Sequence, residues 1–291
     1  MSGIDDVISA FDVYRYKYFK IPLVTKWLID ELRYRDGYVR VSFDLGNTFT
    51  TINVSGGVID IDGFSYYLDF LAEVLRSERV YILRNGKYGD VAFFRDGTYY
   101  KLYPIAMYGA PTIEISGIKM HRIVGTTPWE DASKKIHGLG VEKGSKVLDI
   151  CTGLGYTAIH SLYRGGKVVT IEKDRNVLDI AKYNPWSQKL GDIPILLGDA
   201  YVLLDDLPRG FFDIVVHDPP RMARAGELYS LDFYKKIYKV LNNRGRLYHY
   251  VGNPGYKGGK DIIKGVARRL KSAGFRVRIV RDMMSIYAFK I

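Results

Sequence analysis

The sequence predicts an α/β chain in which a doubly wound sheet fills residues 146–291 and a smaller, mainly β N-terminal domain precedes it. Three observations carry this. After Lys146, apolar strand runs alternate with helical segments; before Arg122, short alternating segments are broken by Gly, Asn and Asp; and a glycine-bearing turn joins the first apolar strand to a helix. Continuous apolar strands separated by helices describe a parallel sheet covered on both faces. Alternating segments between turn residues describe antiparallel hairpins.

Taken in order, the N-terminal domain (1–122) is expected to start helically around Pro22 to Glu31, and strands follow at 38–43, 50–54, 57–61 and 80–83. Asp62-Gly63, Asn85-Gly86 and Asp96-Gly97 are hairpin-turn pairs, and Tyr67 to Arg76 reads as a helix. A linker over 123–145 contains Thr127-Pro128-Trp129-Glu130, the form of a capping box with Pro at the first helical position, and Gly138 or Gly140 can end that helix. In 146–291 strands are expected at 146–150, 167–171, 193–197, 212–217, 246–251, 277–280 and 286–289.

Composition narrows the function classes. Lys plus Arg outnumber Asp plus Glu by 43 to 32, which favours a polyanionic partner, nucleic acid first, or else serves solubility. The single cysteine, Cys151, leaves no intramolecular disulfide and no cysteine metal cluster, so no metal is expected. No apolar run approaches the ~20 residues of a membrane span, and the acidic start MSGIDDVISA lacks a secretory or transit pattern, so a cytoplasmic protein is expected. Gln188 is the only glutamine, which with the abundant charge hints at a thermophilic source.

In a doubly wound sheet, ligands bind beyond the carboxyl ends of the strands near the switch point. There Val147-Leu148-Asp149-Ile150 runs into Cys151-Thr152-Gly153-Leu154-Gly155-Tyr156-Thr157. Glycine lets the backbone approach a ligand, and the Asp149 carboxylate can hold the amino group of an amino-acid moiety. The third position of the loop is Ala158, which the dinucleotide fingerprint also allows, so the loop alone admits a nicotinamide cofactor. Glu172 stands 19 residues after Gly153, where an acid binds both ribose hydroxyls, and Gly198-Asp199-Ala200 closes the third strand. Each acid singly reads as a helix N-cap. Together, at successive strand ends, they resemble the pattern of class I methyltransferases, and that resemblance implies S-adenosyl-L-methionine, bound by Asp149, Thr152, Gly153, Gly155, Tyr156, Thr157, Glu172, Lys173, Asp199 and Ala200.

The fourth strand ends Val215-Val216-His217-Asp218-Pro219-Pro220-Arg221. Two prolines stop the strand and set the backbone beyond it, so Asp218, Pro219, Pro220 and Arg221 form the candidate catalytic group. His217 reads as a proton acceptor near neutral pH or as a structural histidine, and His249 on the next strand reads likewise. Glu227 and Tyr229 either close over a substrate or form a capped loop. Ser116, His121 and Arg122 read as a cofactor lid or a linker. The strand Leu247 to Gly252 carries no thiol, which disfavours cysteine-dependent chemistry on pyrimidine carbon 5, and Cys151 reads as a small buried residue. Lys257, Lys260, Lys264, Arg268, Arg269, Lys271, Arg276, Arg278 and Arg281 form a phosphate track or a solvated helix from about Gly259 to Ala273. Tyr14-Arg15-Tyr16-Lys17-Tyr18-Phe19-Lys20 reads as a stacking surface for single-stranded RNA or as a packing strand.

Asp199 after the third strand resembles the methyltransferase pattern in which an acid meets the adenine amino group. Asp-Pro-Pro resembles the motif of amino-methyltransferases acting on exocyclic base nitrogens, where the acid and the following carbonyl accept hydrogen bonds from the target amine. The chain is also similar to a family of predicted archaeal class I methyltransferases. That likeness runs through Pro111 to Arg122, Cys151 to Ile159, Asn184-Pro185-Trp186-Ser187, His217 to Arg221, Ala225 to Ser230 and His249 to Gly255. Some members of that family are described as spermidine-synthase-like. The resemblance implies a Rossmann-like methyltransferase sheet and methyl transfer from adenosylmethionine to an exocyclic or ring nitrogen of a base in tRNA or rRNA, with the N-terminal domain placing the substrate. Aminopropyl transfer to a polyamine is the second reading, and a non-catalytic RNA-binding protein the third. Oligomeric state is left open.

Overall fold

The computed structural model describes residues 3–222, 224–252 and 262–291. Two compact units divide the chain: Met1–Tyr16, Ala132–Arg175 and Lys189–Ile291 form one, and Lys17–Asp131 with Asn176–Gln188 the other. The N-terminal sixteen residues thus leave the β-rich region to which the sequence assigns them. The reason is pairing: Val13–Tyr14 adds an edge strand to the large sheet, Val13 opposite Leu196 and Tyr14 opposite Ile195. That pairing and the Arg175 guanidinium 5.6 Å from the Tyr14 ring make the start of the Tyr14–Lys20 run a packing strand.

The large sheet has eight strands: β1 (Val13–Tyr14), β2 (Lys146–Ile150), β3 (Lys167–Glu172), β4 (Ile195–Leu197), β5 (Phe212–His217), β6 (Leu241–Tyr250), β7 (Phe275–Val280) and β8 (Ser285–Lys290). Their order is β1-β4-β3-β2-β5-β6-β8-β7. Strands β2 to β6 run parallel, whereas β8 is antiparallel to both β6 and β7. The sheet is therefore mixed at its edges. Met284 N–H donates to the Arg281 carbonyl in the short β7–β8 turn, and so short a link leaves no room for the crossover that a parallel pair requires. The order reverses between β2 and β5, which makes their carboxyl ends the switch point. One face of the sheet packs Leu148, Val169, Val215 and Leu247 against Phe233, Ile237, Val266 and Leu270 of the last two helices. No described helix is long and apolar enough to cross a membrane.

The β-rich unit holds three small antiparallel sheets. Asp62-Gly63, Asn85-Gly86 and Asp96-Gly97 all have two successive positive φ values, between 50° and 78°, the backbone of tight hairpin turns. Ser116-Gly117 is a fourth such turn, at 47° and 80°. Leu23–Thr25 is a strand rather than the start of a helix, because its three buried residues pair with Val80–Ile82. Thr25 then caps the helix Lys26–Leu32 by accepting from Leu28 N–H. The boundary with the other unit falls inside the helix Pro128–Leu139. Its capping box is closed both ways: Glu130 N–H donates to Thr127 Oγ1 and Thr127 N–H to Glu130 Oε2, each at 3.2 Å. Gly140, at φ 64°, follows this helix, while Gly138 lies inside it, where a Cβ would collide with Tyr287.

Candidate active site

The loop after β2 curls through three positive-φ residues: Cys151 at 72°, Gly153 at 57° and Gly155 at 79°. A Cβ at Gly155 would strike Leu190, whereas one at Gly153 would meet nothing within 4 Å. Gly155 is therefore demanded by packing, and Gly153 opens onto free space as a ligand cradle does. Gly153 N–H donates to Glu172 Oε2 and Asp174 N–H to Glu172 Oε1, both at 2.9 Å. The Glu172 carboxylate thereby ties the loop to the end of β3.

Asp149 is completely buried. Thr157 Oγ1 donates to its Oδ1 and Thr170 Oγ1 to its Oδ2, each at 2.7 Å. Thr170 gives its one proton to Asp149, so the hydroxyl of Thr152, 2.7 Å away, is the donor to Thr170. Burial pushes the Asp149 carboxyl up to about 7, only partly offset by the two threonine hydroxyls, and Asp218 and Glu172 push it further in the same direction. Tyr156 is packed in the core. Asp199 caps the helix Ala200–Asp206 by accepting from Tyr201 N–H at 2.8 Å and takes Lys173 Nζ at 2.7 Å. Partial burial raises this carboxyl, but Lys173 and the Tyr201 amide prevail and hold it below its ordinary range. Burial drives the Cys151 thiol well up, and the field of Glu172, Asp149, Asp218 and Asp199 adds to it. Burial and the four acids all disfavour the thiolate that a nucleophile requires.

At the end of β5, Asp218 meets a partner 83 residues away: Lys135 Nζ donates to Asp218 Oδ2 at 2.7 Å. The lysine side chain is 7% exposed and that of Asp218 21%, and the ammonium lies 4.6 Å from the Tyr250 ring centroid. Lys135 is the residue of the candidate site that sequence reasoning missed. Its one local signal is a lysine inside the buried stripe Ala132, Lys135, Ile136 and Leu139 of its helix.

His217 does not fit the proton-acceptor reading. It is fully enclosed, its Nε2 bonds the Leu228 carbonyl at 3.0 Å, and burial drives it down to about 3. Its ring stacks on His249 at 4.4 Å, and His249 Nε2 bonds the Tyr234 hydroxyl at 3.0 Å. Burial and the neighbouring His217 hold His249 well below its usual value. Both histidines are neutral packing groups. Tyr229 is buried rather than open to a substrate, and its hydroxyl donates to the Pro220 carbonyl at 2.9 Å, bracing the Pro219-Pro220 segment. Arg221 and Glu227 are exposed, and Glu227 adds to the acid field on Lys173. Arg122 belongs to the β-rich unit, 3.9 Å from Asp131. In that unit His121 Nδ1 meets Thr112 Oγ1 at 2.9 Å, and Ser116 forms the hairpin turn. Asn253-Pro254-Gly255, Lys257 and Lys260 lie outside the described residues.

Residues 134–248 match the profile of the family described as conserved hypothetical protein 95. The uncharacterized protein MJ1233 of Methanocaldococcus jannaschii is 48% identical over 227 residues, covering 76% of this chain and 77% of that protein. A putative ribosomal RNA large subunit methyltransferase of the same organism, MJ1649, is 23% identical over 243 residues. That match takes in 80% of this chain but only 59% of the relative. Among solved structures, spermidine synthase from Thermotoga maritima superposes with a TM-score of 0.52 at 16% identity, covering 87% of this chain and 78% of that one, a likeness of fold. The mixed sheet with its switch-point glycine loop is a Rossmann-like methyltransferase fold, and the chain belongs to the family of MJ1233.

Proposed function

We propose that this chain is an S-adenosylmethionine-dependent methyltransferase acting on an exocyclic or ring nitrogen of a base in RNA, tRNA or rRNA. The observation that carries the reading is the Lys135–Asp218 ion pair at the end of β5. A carboxylate already neutralised by an internal cation attracts a cationic polyamine only weakly, but its other oxygen still accepts a hydrogen bond from a neutral amine. Asp149 is the opposite case, a buried carboxyl whose hydrogen-bond partners are hydroxyls; it suits the ammonium of an amino-acid moiety.

Asp149, Thr152, Gly153, Gly155, Tyr156, Thr157, Glu172, Lys173, Asp199 and Ala200 would hold the cofactor, which supplies an electrophilic methyl carbon. In this reading Lys135 fixes Oδ2 of Asp218, leaving Oδ1 and the Pro219 carbonyl to accept from the target amine. That orients the nitrogen lone pair toward the methyl carbon, and in-line transfer draws its rate from such orientation. Tyr229 braces the proline backbone, and the buried histidines exclude water behind it. The name of MJ1649 supports RNA as the substrate class. Aminopropyl transfer is the weaker reading, because it asks for uncompensated acid where Lys135 and Arg221 supply cation.

Incubating the purified protein with methyl-labelled adenosylmethionine and total archaeal RNA tests the proposal. Label is expected in RNA nucleosides and is lost in Asp218→Ala. No transfer to RNA, or full activity in that variant, would sink it.

A further inference from the structure

The net charge of +11 is not shared between the two units. The β-rich unit carries fifteen Lys and Arg against fifteen Asp and Glu, so all of the excess lies on the sheet unit. There it concentrates again: residues 241–291 hold twelve Lys and Arg against two Asp. Self-repulsion on this scale disfavours the compact state, and a bound polyanion relieves it.

The geometry gives this charge a surface. The helix Ile262–Ser272 turns Val266, Ala267 and Leu270 into the core and leaves Lys264, Arg268 and Lys271 exposed. Spacings of four and three put these cations on one helix face. Strand β7 follows and terminates the sheet. Its alternation packs Phe275, Val277 and Ile279 against the core that includes the helix, and exposes Arg276 and Arg278 on the opposite face. Those arginines stand opposite Phe289 and Tyr287 of β8. Because β7 and β6 are each antiparallel to β8, β7 points the same way as β5, and exposed Arg281 lies at the Asp218 end of the sheet. Cations thus flank the last strand on both sides, forming a rim.

Four cations of this rim lack the ion pairs found elsewhere in the unit. Lys135 pairs with Asp218, Lys173 with Asp199, Lys189 with Asp192 and Lys236 with Asp205. Arg268, Lys271, Arg276 and Arg278 make no salt bridge among the described residues. Arginines on an edge strand also deter edge-to-edge pairing, but that leaves the helix cations unexplained. A basic helix can lie on an anionic membrane by inserting its apolar face; here that face is occupied by the core.

We infer that the outer face of the helix Ile262–Ser272 and the β7 edge bind the phosphodiester backbone of the substrate RNA. The neutral β-rich unit then adds no net phosphate neutralisation. The inference rests on the RNA reading above and says where the RNA docks. Because the phosphate contribution is independent of sequence, the probe is a fluorescein-labelled 20-base-pair RNA duplex, titrated between 50 and 300 mM KCl. The variant Arg268→Gln/Lys271→Gln/Arg276→Gln/Arg278→Gln is expected to bind at least about tenfold more weakly at 100 mM. Its slope of log affinity against log salt should fall by about 2–4, at ~0.7–0.9 for each phosphate that the protein no longer neutralises. Its adenosylmethionine affinity should stay unchanged and its melting temperature should not fall, because the lost cations repel one another, and Arg84→Gln/Lys87→Gln on the β-rich unit should leave RNA binding intact. An unchanged slope in the fourfold variant, or a weakened affinity in the β-rich variant instead, would overturn the surface while leaving RNA methylation standing. Wild-type protein that binds phosphatidylglycerol vesicles but no RNA would overturn both.

Discussion

The two ends of the switch point hold the same residue type in opposite electrostatic states. Asp149, near the end of β2, is buried against two threonine hydroxyls and pushed up to about 7. Asp218, just beyond β5, is partly open and already holds Lys135. A carboxyl lacking a counter-ion in low dielectric favours an incoming cation, while one that has its cation favours a neutral donor. Under the function proposed above, the contrast would put the cofactor's ammonium on the β2 side and the uncharged acceptor amine on the β5 side.

The strongest attempt to break this contrast removes the acceptor acid. Asp218→Ala should lower single-turnover methyl transfer by about 10²–10³-fold, the usual cost of losing one preorganised polar group, with adenosylmethionine affinity unchanged by calorimetry. A comparable loss of cofactor affinity would place Asp218 on the wrong side. Next in size, Lys135→Met leaves Asp218 without its cation. Loss of one partner from a fully buried pair costs about 3–5 kcal/mol, and the partial exposure of Asp218 reduces this to about 1–2 kcal/mol. Urea denaturation measures it, and a neutral result would mean that the pair holds nothing.

Cofactor binding tests the other side. If Asp149 receives the ammonium, binding requires its ionised form, so adenosylmethionine affinity should rise with pH up to about 7 and level off above. Asp149→Asn should flatten the profile, and calorimetry from pH 5.5 to 8.5 decides it. The same residue has an effect on stability whose sign can be worked out. Its folded value lies above its unfolded one, so the stability it contributes at low pH is lost as pH rises from about 4 through about 7. His217 opposes it: folded, it stays neutral down to about 3, so stability is lost as pH falls below about 6.5, by up to about 1.4 kcal/mol per pH unit. His249, held low in the same way, adds to this loss, so Asp149 offsets only part of it between pH 5 and 6.5. His217→Gln should become relatively more stable toward acid, and Asp149→Asn relatively less. Of a size with the Lys135→Met loss, Gly153→Ala should cost about 1–2 kcal/mol for its left-handed backbone alone, visible as a lowered melting temperature.

Legibility followed the range of the interaction. The hairpin pairs Asp62-Gly63, Asn85-Gly86 and Asp96-Gly97 and the capping box at Thr127 were readable because each depends on two to four neighbouring residues. Leu23–Thr25 misled because its strand state comes from pairing with Val80–Ile82, far along the chain. Strand β1 was hidden for the same reason. His217 looked titratable because a histidine at a strand end gives no sign of the Phe233, Tyr229 and His249 rings around it.

By itself the sequence determined the parallel strands of the large sheet and three hairpin turns, that glycine and acid follow the first of those strands, and that Asp-Pro-Pro-Arg ends the fourth. These are local consequences of backbone sterics and hydrophobic period. Only the tertiary structure decided which acid has a cation. Lys135 reaches Asp218 across 83 residues, while Asp149 is sealed between Thr157 and Thr170, and a carboxylate's charge state depends on what surrounds it in space.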